Sequence, residues 1–313
     1  MFLALALLLA AILFLAIRQS ESILHVWPRR RLVVRTEAAD EIGTHWEPAE
    51  TKSRDGLTLR GWLFYPSQWN GKAAVALHGF ADSRMGMLPH ASLLVKNGFA
   101  ALLPDSRGHG VSDGNLVTFG LREAADVSAW GDYLKSRLGV DRFYAIGNSM
   151  GAGVLLTALS TESRIAAAII ECGYTSFADV AKDKLARRLH LPAWSARTLL
   201  FPVALTAFAY ARLRYGVAMW RVRPLDHARD ACVPMLLIHG TADEDIPHRH
   251  SRELHRANPR WAGLWEVEGM GHVEAASAVA GEYERRLLAQ FDVTPRVPLG
   301  PVLVSPRLPA VRG

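Results

Sequence analysis

The strongest constraint on this chain is an alternation of two kinds of segment. Short aliphatic runs at 58–65, 73–78, 100–105, 142–147, 165–171, 234–239 and 264–267 are separated by stretches of helical periodicity at 87–97, 121–138, 150–160, 250–257 and 273–290. Strands that are apolar on both faces and joined through helices predict an α/β fold with a mostly parallel sheet covered on both sides. Residues 176–223 break the rhythm with aromatics, two prolines and no strand–helix unit, and read as an inserted helical cap. The organisation expected is an α/β domain over 46–290, preceded by a basic linker at 19–45 and followed by a proline-rich tail at 291–313.

With half of its 313 residues hydrophobic and 21% charged, the chain has the composition of a globular protein and not of a disordered one. Two cysteines, Cys172 and Cys232, build neither a disulfide framework nor a CxxC metal or redox pair. A net charge of +6 without a long basic run interleaved with aromatics or a nucleic-acid module gives no nucleic-acid partner. His248 and His250 stand two apart and read as surface residues, not as metal ligands.

Residues 1–17 are uninterruptedly apolar, about 25 Å as a helix against a hydrocarbon layer of about 30 Å. Nothing basic precedes Phe2, and Arg18, Gln19 and Ser20 follow at once, so residues 1–18 read as an uncleaved transmembrane anchor rather than a cleaved leader. Arg18, Arg29, Arg30, Arg31 and Arg35 lie after it, which places the domain on the cytoplasmic side of a single-pass membrane protein.

Gly147-Asn148-Ser149-Met150-Gly151 follows an apolar strand and opens a helix, the setting of a G-x-S-x-G nucleophile elbow. Serine needs a base, and among the 12 histidines His272 is the candidate, lying in a glycine-flanked loop beyond the strand at 264–267. Asp243, after the strand at 234–239, is the candidate orienting acid, with Glu171 at the end of the preceding strand as its competitor. The amides of Phe80 and Met150 are the candidate oxyanion donors, and His78 reads as a structural residue of the Phe80 turn. The chain order serine, acid, histidine is that of α/β-hydrolases.

These residues resemble the α/β-hydrolase superfamily, and within it bacterial serine hydrolases of the fermentation–respiration switch and serine-aminopeptidase kinds. His78-Gly79-Phe80, the loop from Asp105 through Arg107-Gly108-His109-Gly110 to Ser112, and Cys172-Gly173-Tyr174-Thr175-Ser176 also look like this group's sequences, and the likeness covers roughly 45–290. The resemblance implies an eight-stranded mostly parallel sheet with a helical cap, an acyl-enzyme mechanism, and no metal or cofactor. Asn148 is a less usual neighbour of the nucleophile in this family. The function expected is hydrolysis of a carboxylic ester of a small acyl or lipid-like substrate. A peptidase or amidase of the same fold and a membrane-tethered binding protein without turnover are the alternatives. The basic and apolar residues of the cap suit a surface lying at an anionic bilayer.

Overall fold

A computed structural model describes residues 2–26, 35–188 and 201–292. The expected tail at 291–313 lies almost wholly outside the described residues, as do the middle of the linker and residues 189–200 of the cap.

In chain order, α1 (Phe2–Leu24) and the short α2 (Glu37–Asp40) lead into β1 (Trp46–Lys52), β2 (Thr58–Phe64) and β3 (Ala73–Leu77). Then come α3 (Leu88–Lys96), β4 (Ala100–Pro104), α4 (Glu123–Leu138), β5 (Phe143–Asn148), α5 (Met150–Ala158) and β6 (Ile165–Glu171). The segment between β6 and β7, where a cap is expected, holds α6 (Phe177–Arg188) and α7 (Phe201–Tyr215). The remainder is α8 (Pro224–Asp230), β7 (Met235–Gly240), α9 (Arg249–Ala257), β8 (Ala262–Val267), α10 (Ala275–Ala278) and α11 (Ala280–Asp292). The eight strands form one sheet in the order β1-β2-β4-β3-β5-β6-β7-β8. β2 runs antiparallel to both neighbours, and every other pairing from β4 to β8 is parallel.

Because side chains alternate across a strand, each strand feeds two cores. Val75, Leu77 and Leu102 join Trp130 of α4, Leu155 of α5 and Leu254 of α9 on one face. Ala74, Ala76 and Leu103 join Leu94 of α3 and Tyr283 and Leu287 of α11 on the other. The parallel strands therefore end at one edge, where the loops after β3, β5, β6, β7 and β8 meet.

The amino terminus corrects an expectation. Among the described residues no helix is long and apolar enough to cross a membrane, so the transmembrane anchor at 1–18 has no support. The helix instead runs on to Leu24 and docks on the cap: Ala16, Ser20 and Leu24 are buried along one stripe. Ser20 donates to the Ala207 carbonyl at 2.9 Å, and Glu21 accepts from Tyr210 and Tyr215 at 2.7 and 2.6 Å. His250 corrects another: it is fully buried, bonded through Nδ1 to Thr175 Oγ1 at 2.8 Å and through Nε2 to Asp183 at 3.0 Å, and so ties α9 to the cap.

Candidate active site

Ser149 stands between β5 and α5 at φ 54°, ψ −110°, a left-handed conformation that a non-glycine residue holds only under strain of about 1–3 kcal/mol. The surrounding glycines make the turn possible. A Cβ on Gly147 would lie 2.5 Å from the Gly151 carbonyl oxygen, and one on Gly151 would lie 2.3 Å from that of Leu77. The Ser149 amide donates to the Glu171 carbonyl at 2.9 Å, fixing the elbow to β6.

His272 reaches the same edge from the loop after β8. Gly240 lets that loop lie against β7, since a Cβ there would meet the Met270 carbonyl oxygen at 2.2 Å. Ala242 N–H donates to Met270 O at 3.0 Å, Gly269 N–H to Thr241 Oγ1 at 2.8 Å, and Val273 N–H to Cys172 Sγ at 3.3 Å. Held on both sides, the imidazole places Nε2 2.9 Å from Ser149 Oγ and Nδ1 2.7 Å from Asp243 Oδ2. A carboxylate only accepts, so Nδ1 carries the hydrogen and Nε2 is free to accept from the serine hydroxyl.

Asp243 is buried, and its Oδ1 accepts the amides of Asp245 and Ile246, both at 2.8 Å. Burial pushes its carboxyl up, but hydrogen bonds from His239 and His272, the His272 charge and the Ile246 amide outweigh that and hold it well below the usual carboxylate range. Glu171, the competing acid, is also buried but turns to the Ala275 amide at 3.1 Å, and it is Asp243 that meets His272.

The two segments expected to supply oxyanion donors converge on Ser149. Met150 opens α5 directly after it, and the turn carrying Phe80 comes so close that a Cβ on Gly79 would touch Ser149 Cβ at 3.5 Å. His78 is structural in this turn: Nε2 accepts from the Ser106 amide at 3.0 Å and Nδ1 donates to Gly79 O at 2.7 Å. Burial pushes its imidazole below the usual range. Asn148, the last residue of β5, is buried with Oδ1 lacking a hydrogen-bond partner.

The loop from Asp105 to Ser112 supports the site from below. Asp105 accepts from the Arg84 amide and guanidinium at 2.8 and 2.7 Å and from the Val111 amide at 2.8 Å. Arg107 grips Asp126 and Asp55. His109 packs edge-on against Phe80.

Sequence reading gave no role to two groups behind the acid. Cys172, buried at φ 52°, and His239 stand with Asp243 so that their sulfur, ring nitrogen and carboxylate oxygen lie within 4.8 Å of one another. Thiol, imidazole and carboxylate suit a soft metal, yet here the carboxylate is bonded to His272 and the imidazole to Ile246 O and Ser251 Oγ, which leaves a cation no free pair of donors. His239 was visible in the sequence as the residue four before Asp243, but nothing in that spacing tells a buried partner from a strand side chain.

Comparison with known proteins agrees with this architecture. The family described as "alpha/beta hydrolase fold" matches residues 75–209. The uncharacterized protein YfhR of Escherichia coli (strain K12) is 26% identical over 251 residues, covering 78% of this chain and 80% of that one. The polyketide transferase ATR5 of Stachybotrys chlorohalonatus is 35% identical over 137 residues, covering 42% of this chain and 46% of its own. Among solved structures, the Pyrococcus furiosus esterase Pf2001 superposes with a TM-score of 0.65 at 23% identity, over 79% of this chain and 90% of that one. Sheet order, elbow and sequence match agree: the chain has the fold of the α/β-hydrolases, and its residues 75–209 resemble that family.

Proposed function

We propose that the protein is a serine hydrolase that cleaves a carboxylic ester through an acyl-enzyme intermediate. The observation that carries this is the series Ser149 Oγ, His272, Asp243, joined at 2.9 and 2.7 Å across three loops far apart in sequence. His272 Nε2 takes the serine proton as Oγ attacks the ester carbonyl. The Phe80 and Met150 amides receive the developing oxyanion, and the proton then passes from His272 to the leaving alcohol. A water deprotonated by the same nitrogen releases the acid, while Asp243 holds the ring's tautomer and supports its charge.

Ser149→Ala is expected to lower kcat on a short-chain p-nitrophenyl ester by ~10⁴-fold or more and to abolish labelling by a fluorophosphonate probe. A variant within tenfold of the parent would refute the assignment. Matched amide substrates separate a peptidase, and a parent that never labels indicates a binding protein. The likeness to polyketide transferases favours a second reading, the same acyl-enzyme giving its acyl group to an acceptor other than water. An added alcohol or amine that raises turnover while lowering the acid product supports that reading.

The working site of this hydrolase is placed, in the same proposal, at a membrane surface. Leu7, Leu13, Phe14 and Leu15 on α1, Leu205 and Leu213 on α7, and Trp220 beyond it are exposed, beside exposed Arg18, Arg212, Arg214 and Arg221. Apolar side chains bordered by arginines suit the interface of an anionic bilayer, with the helix pair lying on it rather than through it. Sedimentation with phosphatidylglycerol-containing vesicles is expected, weakened by Leu205→Asp with Leu213→Asp. Equal sedimentation of the double variant counts against it.

A further inference from the structure

Behind the catalytic acid, away from the serine, lies a second imidazole with no assigned task. His239, the fifth residue of β7, is fully buried. Its Nε2 is 2.8 Å from the Ile246 carbonyl and 3.2 Å from Asp243 Oδ2, and its Nδ1 is 2.6 Å from Ser251 Oγ on α9. A carbonyl can only accept, so Nε2 carries a hydrogen and donates it to the Ile246 oxygen, with the Asp243 carboxylate oxygen beside the same nitrogen at 3.2 Å. Ser251 occupies the other nitrogen and so holds the ring at this angle. The remaining titratable group at this spot is the Cys172 thiol from the end of β6, which burial, with Glu171 and Asp243 beside it, pushes well above its usual range.

We propose that His239 is a positioning residue of the triad: its Nε2–H completes the donor shell of Asp243 opposite His272, so that the carboxylate stays ionised and aimed at His272 Nδ1. The inference rests on the serine-hydrolase reading for its kinetic consequence, though not for its geometry. Asp243 accepts two backbone amides on Oδ1 and the His272 Nδ1–H on Oδ2, and His239 Nε2 stands 3.2 Å from that second oxygen. With the rear imidazole gone, the negative charge on Oδ2 is shared with fewer donors. It then holds a proton on the facing imidazole more tightly, and the ring that must be unprotonated to accept from Ser149 becomes so only at higher pH. The carboxylate can also rotate, which misaligns Nε2 with the serine.

The test compares His239→Leu, which has no donor, with His239→Gln, whose side-chain amide can place an N–H near the position of Nε2. In His239→Leu, kcat on a soluble ester is expected to fall about tenfold with KM within about twofold. The acidic limb of kcat/KM is expected to move up by about half a pH unit or more. His239→Gln should bring both back towards the parent. A second readout needs no turnover: the NMR signal of the His272 Nδ1–H proton should shift in His239→Leu and return in His239→Gln. If the parent neither turns over nor labels, the hydrolase reading has failed while the proton signal still decides this inference. A folded His239→Leu with the parent's acidic limb and the parent's proton signal overturns it. Should His239→Leu not fold, Ser251→Ala replaces it, with a smaller shift in the same direction expected and an unmoved limb and signal equally fatal.

Discussion

Ser149 keeps its left-handed backbone because the packing of Gly147, Gly151 and Leu77 leaves no other path from β5 into α5. Gly151→Ala would place a methyl 2.3 Å from a backbone oxygen that cannot rotate away, so a loss of about 1–3 kcal/mol in urea unfolding is expected, and on the proposed function a larger fall in ester turnover, because the displaced backbone carries Ser149. A variant as stable as the parent would mean that the elbow relaxes freely. Asp243→Asn keeps the shape but offers an N–H to Nδ1, favouring the tautomer with hydrogen on Nε2. Turnover is expected to drop by ~10⁴-fold with the unfolding midpoint little changed. Serine, histidine and acid were legible because each follows an apolar run and has a distinctive neighbour, glycine above all. His239 and Cys172 were not, because the contact that gives them meaning comes from folding loops together.

At the scale of elements, β2 to β8 were legible because strands covered on both faces must be apolar throughout. β1 was not: Trp46–Lys52 reads WEPAETK, with Pro48 inside it, a sequence that only the edge of a sheet tolerates. The helix expected over 273–290 divides into α10 and α11 at Val279, which leaves helical geometry at φ −127°, ψ 44°. The connections between elements separate into two energetic kinds. Lys184 meets Asp245 at 3.2 Å, joining α6 to the acid-bearing loop, but both side chains are about half exposed, so Lys184→Ala is expected to change stability by less than about 1 kcal/mol. Arg107 is buried and joined to Asp126 on α4 at 2.6 Å, and Arg107→Leu leaves that carboxylate buried without its countercharge. A loss of about 3–5 kcal/mol by chemical denaturation is expected, and a loss no larger than that of Lys184→Ala would contradict the difference drawn between them.

Over the whole molecule, the sequence made the first helix legible as apolar but not its partner, because α7 lies nearly two hundred residues further on and the bond from buried Ser20 to Ala207 forms only when the two meet. What the sequence does not display at all is the molecule's response to acid, which follows from charges buried by folding. His109 is pushed down to about 4, by burial first and by its neighbour His78 second. A histidine depressed in the folded chain binds fewer protons there than in the unfolded chain, whose value is about 6.5, so its contribution is complete above that pH and is lost as pH falls towards 4. Carboxylates act lower. Burial raises Asp105 and Asp183, yet Arg84 lowers the first, and His250 and Arg249 lower the second, by more. Their stabilisation is complete above the unfolded value of about 3.9 and disappears as pH falls through their folded values. Asp126, which burial raises to about 6, acts in the opposite sense between that value and its unfolded one, so the thermal midpoint should be close to level from pH 7 to about 4 and fall steeply below about 4. His109→Phe should remove the loss and leave the Asp126 gain, so that the variant's midpoint rises as pH falls from about 6.5 to 4 while the steep stretch is unaltered. A His109→Phe midpoint that follows the parent's over that range would show that the buried imidazole takes up a proton without opening the fold.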